Sequence, residues 1–499
     1  MTVVEDVGVA VAAVAAVDNP LAERKFVSST TMKAQNETKV LVLSLLITAG
    51  LIVSGLWLFR NNFKLNSNGL QSSNKEQSAS VSGSDRISLG NKILVTADTN
   101  PDKQAGVQAF AKGDFATASS KFQSALQANR NDPEALIYYN NAQVSNSNPV
   151  KIAVSVPIGG NLDVAKEILR GVAQAQDETN KSNNLKLQVE IANDDNDPAI
   201  AQQIATEFVK DTSILAVVGH NASNASIAAA PVYQQGGLVM ISPTSFAQNL
   251  SGIGNYVFRT VPSIGFVADS LSRYVIKTAN KTNTAICIDL KAIDNVSFKE
   301  EFIKAVSAAG GKINPTVCDL SAADFNPSTA ISQAISSGAD SLVIAPHVNR
   351  IDRALEVAQV NQGKLTLFGS STLYTYKTLQ AGQGAVNGMV LAVPWHPSAI
   401  PGNPFPSNAA KLWGGAVNWR SATAYDAIQA IISGLKAGNS SREGLQKALS
   451  SPNFSANGAT GTIQFLPTGD RNGSAILLKV QPGNQSSTGY DFVPLRGVL

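Results

Sequence analysis

The chain has 499 residues, two cysteines and a net charge of +3, with charged residues making up 15% of it. That length exceeds what one compact core can organise, so two or more domains are expected. With no basic block, nucleic-acid binding has no electrostatic support, and two cysteines do not make a disulfide scaffold.

Residues 1–38 mix an Ala/Val-rich run, Val7–Val17, with polar residues. The run is too short to span a bilayer, and Glu5 and Asp6 precede it rather than basic residues, so it reads as a tail and not a secretory signal. Val40–Phe59, VLVLSLLITAGLIVSGLWLF, carries no charge. At roughly 1.5 Å per residue it crosses a hydrocarbon core of about 30 Å. Lys39, Arg60 and Lys64 flank it and Trp57 stands near one end, as in a membrane span, so a single uncleaved transmembrane helix is expected over 39–60. Residues 61–97 are assigned as a flexible linker: Asn61–Arg86 is rich in Ser, Asn and Gln, and order resumes near Ile87.

Residues 98–146 carry Lys112-Gly-Asp-Phe115, Ala118, Phe122, Ala125 and Pro133. This spacing resembles a tetratricopeptide repeat, in which small residues let two antiparallel helices approach while Phe115 and Phe122 fill the gap. Asn141 stands where a further repeat would have Gly, so the array is expected to stop after the helix Pro133–Ala142. A short array needs support. It is expected to pack on the following domain or to dock a protein partner.

From Val150 the pattern alternates β and α. Ile152–Val156, Leu185–Ala192, Ile214–Val218 and Leu238–Ile241 read as strands, as do Ala285–Asp289, Ser341–Ala345, Thr366–Phe368 and Met389–Val393. Asp197-Pro198 is a helix start, Asp as N-cap and Pro at the first position. Phe298–Ala309, Ile331–Ser337 and Ile351–Val360 read as helices. Cys287 and Cys318 lie in apolar runs placed in one sheet; two buried thiols are the favoured reading, and a disulfide would need their Cα atoms within roughly 7 Å. No CxxC, HExxH, P-loop or GxSxG pattern is present, so neither a cofactor nor catalysis is expected. His220, His347 and His396 all follow apolar strands, and strand-end histidines that hydrogen-bond are commoner than a three-His metal site.

The densest stretch is Ala216–Ala247, AVVGHNASNASIAAAPVYQQGGLVMISPTSFA. It reads strand, polar turn, small-residue helix, Gly stop, strand, polar turn: a βαβ unit with both polar turns at one sheet edge, where ligands bind in open parallel sheets. The spacing of Gly219-His220, Ser223 and Ile241-Ser-Pro-Thr-Ser245, with Phe258–Ser263, resembles the branched-chain amino-acid-binding proteins of ABC transporters, of the type I periplasmic binding fold. The resemblance covers residues 150–499. It implies an α/β fold of two Rossmann-like lobes, lobe 1 over about 150–262 and 395–455, lobe 2 over about 263–394 and 456–499. They are joined by crossovers near Val261–Gly265, Pro394–Pro397 and Ala456–Gly461.

It also implies a site. Ser223, Thr244 and Phe246 fall at the positions that hold a ligand carboxylate, with Ser245 beside them; Phe246 replaces a hydroxyl residue. On the second lobe Asp294, His347 and Ser371 stand in the ligand-facing loops, with Ser370-Ser371 where an acid often takes the ammonium. That departure suggests an amide, a urea-like solute or a modified amino acid ahead of leucine, unless Asp289 or Asp294 supplies the missing charge. The resemblance implies a solute-binding protein, not an enzyme, that closes its lobes on a small polar solute and serves ABC-transporter permease subunits; with the span over 39–60 it is expected to be membrane-anchored, its large domain outside the plasma membrane. The alternative is a non-transport sensor or scaffold, such as a regulator of cell-envelope synthesis.

Overall fold

The computed structural model describes residues 83–182, 185–438 and 440–495. The tail expected over 1–38 and the span expected over 39–60 lie outside the described residues. Among the described residues no helix is long and apolar enough to cross a membrane.

Two sheets organise the molecule. The first contains β1 (Ile87–Ser88), β2 (Val150–Val156), β3 (Leu187–Asn193), β4 (Ile214–Val218), β5 (Val239–Ser242) and β6 (Val257–Arg259), in the order β1-β3-β2-β4-β5-β6. All its pairings are parallel except β1 on β3. The second contains β7 (Asn283–Ile288), β8 (Lys312–Asp319), β9 (Ser341–Ala345), β10 (Thr366–Gly369) and β11 (Val390–Val393). A hairpin, β12 (Ala456–Gly458) and β13 (Gly461–Ile463), precedes its last two strands, β14 (Ile476–Pro482) and β15 (Tyr490–Pro494). The order is β15-β14-β11-β10-β9-β7-β8. Parallel strands covered on both faces need continuous apolar runs, and β9 is buried at every position.

Helices α1 (Pro101–Ala111), α2 (Phe115–Ala128) and α3 (Pro133–Val144) form the segment before β2. Lobe 1 carries α4 (Leu162–Lys181), α5 (Pro198–Lys210) and α6 (Ser223–Gln235). Lobe 2 carries α7 (Ile264–Arg273), α8 (Ile293–Ala308), α9 (Pro327–Ser336), α10 (Ile351–Asn361) and α11 (Tyr376–Gly382). The chain then returns through α12 (Phe405–Trp413), α13 (Trp419–Ala437) and α14 (Arg442–Leu449). Crossovers follow β6 and β11, and the third lies between β13 and β14. This third passage comes later than 456–461, because the hairpin stays with lobe 1. The Asp426 carboxylate on α13 accepts from Ala459 N at 2.5 Å and Thr460 N at 3.3 Å.

The three leading helices begin on capped turns: Asn100, Asp114 and Asp132 accept from Lys103 N, Thr117 N and Ala135 N. Gly106 lets α1 close on α2, since a Cβ there would meet the Phe122 ring at 2.7 Å. Phe122 is fully buried against Tyr138, and Phe115 packs edge-on against Phe110. The buried Lys103 ammonium lies 2.7 Å from Asp132 and 2.8 Å from Glu134, so its charge is paired.

These helices are part of lobe 1. Phe122, Ile137 and Tyr138 share one continuous apolar cluster with Ile168 and Leu169 of α4. The linker assigned over 61–97 is corrected at its far end: β1 pairs with β3, Val95 is fully buried, and Leu94 N and Val95 N donate to Glu134. The reading of two buried thiols is also corrected. Cys287 and Cys318 face each other across β7 and β8 with Cα atoms 4.5 Å apart, and they form a disulfide.

Candidate functional site

The carboxyl ends of the two sheets face a cleft of about 330 Å³. Its lobe 1 wall is made by two turns and a helix end. After β4 the chain turns through His220–Ala222 into α6, whose N-terminus has no side-chain cap. Its first amides are therefore available to a ligand acceptor. The Ser223 hydroxyl accepts from Ala247 N at 3.2 Å, leaving its proton to donate. Thr244 lines the cleft, but its hydroxyl donates to Asn221 O at 2.9 Å. Ser245 does not reach the cleft: it is fully buried behind the wall, its Oγ 2.6 Å from that of Ser226. Phe246 lines the cleft with its ring 5.6 Å from that of Trp419.

His220 holds these turns together from behind. It is fully buried, with Nδ1 2.6 Å from Asp194 Oδ2 and Nε2 3.1 Å from the Tyr233 hydroxyl. Its carbonyl accepts from the Ser226 and Ser242 hydroxyls. The other two histidines are elsewhere: His347 lines the cleft, and His396 contacts Phe492 O. Among the described residues no cluster of ligating side chains could hold a metal ion.

Two residues that sequence reasoning missed dominate this wall. Trp419 and Arg420 begin α13, which Asn418 caps through Arg420 N. Asn418, an N-capping residue type, is the local sequence signal for this helix start. Gly171 on α4 brings α13 close, since a Cβ there would meet Ser421 O at 2.1 Å. The Arg420 guanidinium lies over the Trp419 ring, 4.4 Å from its centroid. Only 6% of Arg420 is exposed. Burial pulls its pKa down to about 10, partly opposed by the charge of Glu167. Glu167 acts on this charge from a distance, and among the described residues no carboxylate oxygen lies within 4.0 Å of the guanidinium nitrogens. Among the described residues the buried Trp419 indole N–H has no hydrogen-bond partner.

The lobe 2 wall is acidic. Asp289 follows β7, and Asp294 sits in the first turn of α8, which starts at Ile293 rather than at Phe298. Burial raises the Asp294 pKa; the nearby His347 lowers it and the Asp289 charge raises it further. Lys291, Asn349 and Thr372 complete this side. Ser371 is buried just outside the cleft, with Thr372 taking its place at the surface. Tyr374 also turns away, packing its ring 4.8 Å from Phe492. At the rim, Asp195 and Asn196 take left-handed backbone angles, and Asn196 accepts from Ala222 N and the Asn221 amide. This ties the turn after β3 to the turn after β4.

Two opposed lobes around a polar cleft have relatives. The family model described as "Periplasmic binding protein" matches residues 149–484, about two thirds of the chain. The chain belongs to the periplasmic binding protein family. An "Amino acid binding protein" of Pseudomonas aeruginosa is 33% identical over 100 residues, 19% of this chain and 27% of that relative. The "Leucine-, isoleucine-, valine-, threonine-, and alanine-binding protein" of the same organism is 24% identical over 64% of this chain and 87% of its own length. The crystal structure of a leucine-binding protein from Thermotoga maritima shares the fold with a TM-score of 0.61. It covers 69% of this chain and 97% of that one at 21% identity. As a periplasmic binding protein, the chain carries its family match on the two lobes, and β1 with α1–α3 lies ahead of it.

Proposed function

We propose that this chain is a membrane-tethered, extracytoplasmic receptor that captures a free amino acid between its lobes and presents it to ABC-transporter permease subunits. The observation that carries the reading is the opposed polarity of the cleft. The uncapped start of α6, the Ser223 hydroxyl and the unpaired Arg420 suit a carboxylate; Asp289 and Asp294 across the gap suit an ammonium. Sequence reading, which sees Ser371 where an acid is wanted, favours a neutral amide, a urea-like solute or a modified amino acid unless Asp289 or Asp294 supplies the charge. Two acids on the lobe 2 wall shift that preference to a zwitterion, and the amino-acid ligands in the relatives' names agree. Tethering rests on Val40–Phe59, and an outside location is supported by the Cys287–Cys318 disulfide, since such bonds persist in oxidising compartments. The helices α1–α3 add a surface beside lobe 1 for a protein partner.

Calorimetric titration of the purified chain with a panel of free amino acids, their amides and urea tests this reading. Amino acids are expected to bind at least tenfold more tightly than their amides. Equal affinity for an amide would remove the carboxylate requirement, and no binding with no change in compactness would favour the sensor or scaffold role.

A further inference from the structure

Away from the cleft, the crossovers enclose a second cavity of about 500 Å³. All three contribute to it: Pro262 from the first, Trp395 and Ile400 from the second, Arg471 and Ile476 along the third, with Thr460 of the β12–β13 hairpin beside them. The wall is mixed: Pro262, Trp395, Ile400 and Ile476 give it an apolar side, and Ser398, Thr462 and Asn472 a polar one. Arg471 brings a full charge to it and is 4% exposed. Its backbone bridges Pro262 and Phe465, which fixes it where the crossovers meet.

The bonding of this guanidinium is incomplete. One amino group, Nη2, donates to the Thr460 hydroxyl at 2.9 Å. The nearest acid, Asp426, is 3.9 Å away and already accepts from Ala459 N, Thr460 N and the Thr460 hydroxyl. Among the described residues the other amino group, Nη1, is buried with no hydrogen-bond partner. A guanidinium stays charged and directs its donors in a fixed fork, so the unmet donor calls for an acceptor of opposite charge. The cavity beside it is large enough to supply one.

We propose that this cavity is a second ligand site, for an amphipathic monocarboxylate whose carboxylate accepts from Arg471 Nη1 and whose hydrocarbon lies against Pro262, Ile400 and Ile476. The site does not depend on which solute the cleft takes. A molecule held there touches all three connections between the lobes.

Hexanoate serves as the probe, titrated into the purified full chain by calorimetry, with hexanamide and inorganic phosphate as comparison arms. Hexanoate is expected to bind at least tenfold more tightly than either, and Arg471→Gln to weaken it at least tenfold. Ile400→Trp, at a half-buried wall position, fills the cavity and should abolish binding with the thermal transition retained, which separates lost binding from lost folding. Binding that survives both substitutions overturns the proposal. So does loss of binding in Arg420→Gln, which would put the probe in the cleft, and so does phosphate binding as tightly as hexanoate. Absence of any hexanoate binding at millimolar concentration overturns it equally.

Discussion

The side-chain amide of Asn141 takes the place of a strand beside Val189. Its Nδ2 donates to Val189 O at 2.8 Å and its Oδ1 accepts from Val189 N at 2.9 Å. The same amide donates to Leu89 O and accepts from Gln176, so one buried side chain joins α3, β3, α4 and the approach to β1. β1 pairs only as far as Ile191, and Asn141 completes the edge where it stops. Asn141→Leu keeps the volume but leaves Val189 N and O buried and unpaired. Each such group costs about 1–3 kcal/mol, so a loss of about 2–5 kcal/mol is expected in urea unfolding.

Deleting residues 83–149 exposes the β3 edge and the apolar face of α4 together. The fragment 150–499 is expected to lose its cooperative thermal transition or to aggregate, since an open apolar edge templates association. A cooperative transition at the temperature of the whole chain would show that α1–α3 are dispensable to lobe 1.

Arg259 is 1% exposed and gathers the turn after β5 onto the third crossover. Its guanidinium donates to Asp470 at 2.7 Å, to the Ser245 and Ala247 carbonyls, and to the Ser251 hydroxyl. Arg259→Ala leaves Asp470 buried without its partner, and a loss of about 3–5 kcal/mol in denaturant unfolding is expected.

Two groups near the crossovers make stability depend on pH in opposite senses. Burial raises the Asp426 pKa to about 6 from 3.8, so the folded state binds this proton more tightly than the unfolded state. Its contribution favours folding at about pH 4 and declines as pH rises to about 6. Burial lowers the His396 pKa to about 4 from 6.5, opposed in part by its bond to Phe492 O. Here the unfolded state takes the proton first, so stability present above about pH 6.5 is lost as pH falls toward 4. Thermal melts between about pH 4 and pH 7 should show the consequence. Asp426→Asn should make acid more destabilising relative to the parent, and His396→Gln less so.

In the cleft, Ser223→Ala removes a hydroxyl donor next to the α6 N-terminus. A hydrogen bond to a charged group contributes about 1.5–3 kcal/mol, so affinity for the bound amino acid should fall about 10- to 150-fold by calorimetry. Asp294→Asn should weaken the amino acid while sparing its deaminated analogue. Equal losses for both would remove Asp294 from the ammonium end.

The alternating β and α pattern was legible wherever apolar runs were long and bounded by turn residues. Ile214–Val218 and Ser341–Ala345 were read with their observed limits. Asp197 was legible as an N-cap because Asp-Pro combines two local signals, and its carboxylate accepts from Ala199 N and Ile200 N. β1 was not legible. Two residues carry no periodicity, and what makes them a strand is β3, a hundred positions later. Arg420 was hidden for a related reason. Its position follows from the close approach of α13 to Gly171, and a lone Arg after Trp reads locally as a solvated helix start. The pairing of Cys287 with Cys318 depended on the register of β7 against β8, which neither run encodes alone.

Arg86 lies 2.6 Å from Asp195 and also donates to Asn193 O at 3.3 Å, so the start of the described chain is fastened at the mouth of the cleft. Asp195 itself lines that mouth. The segment before β2 is thereby fastened to the jaw that lobe 1 forms. In the tethered receptor proposed above, capture would be the motion of lobe 2 against a held lobe 1.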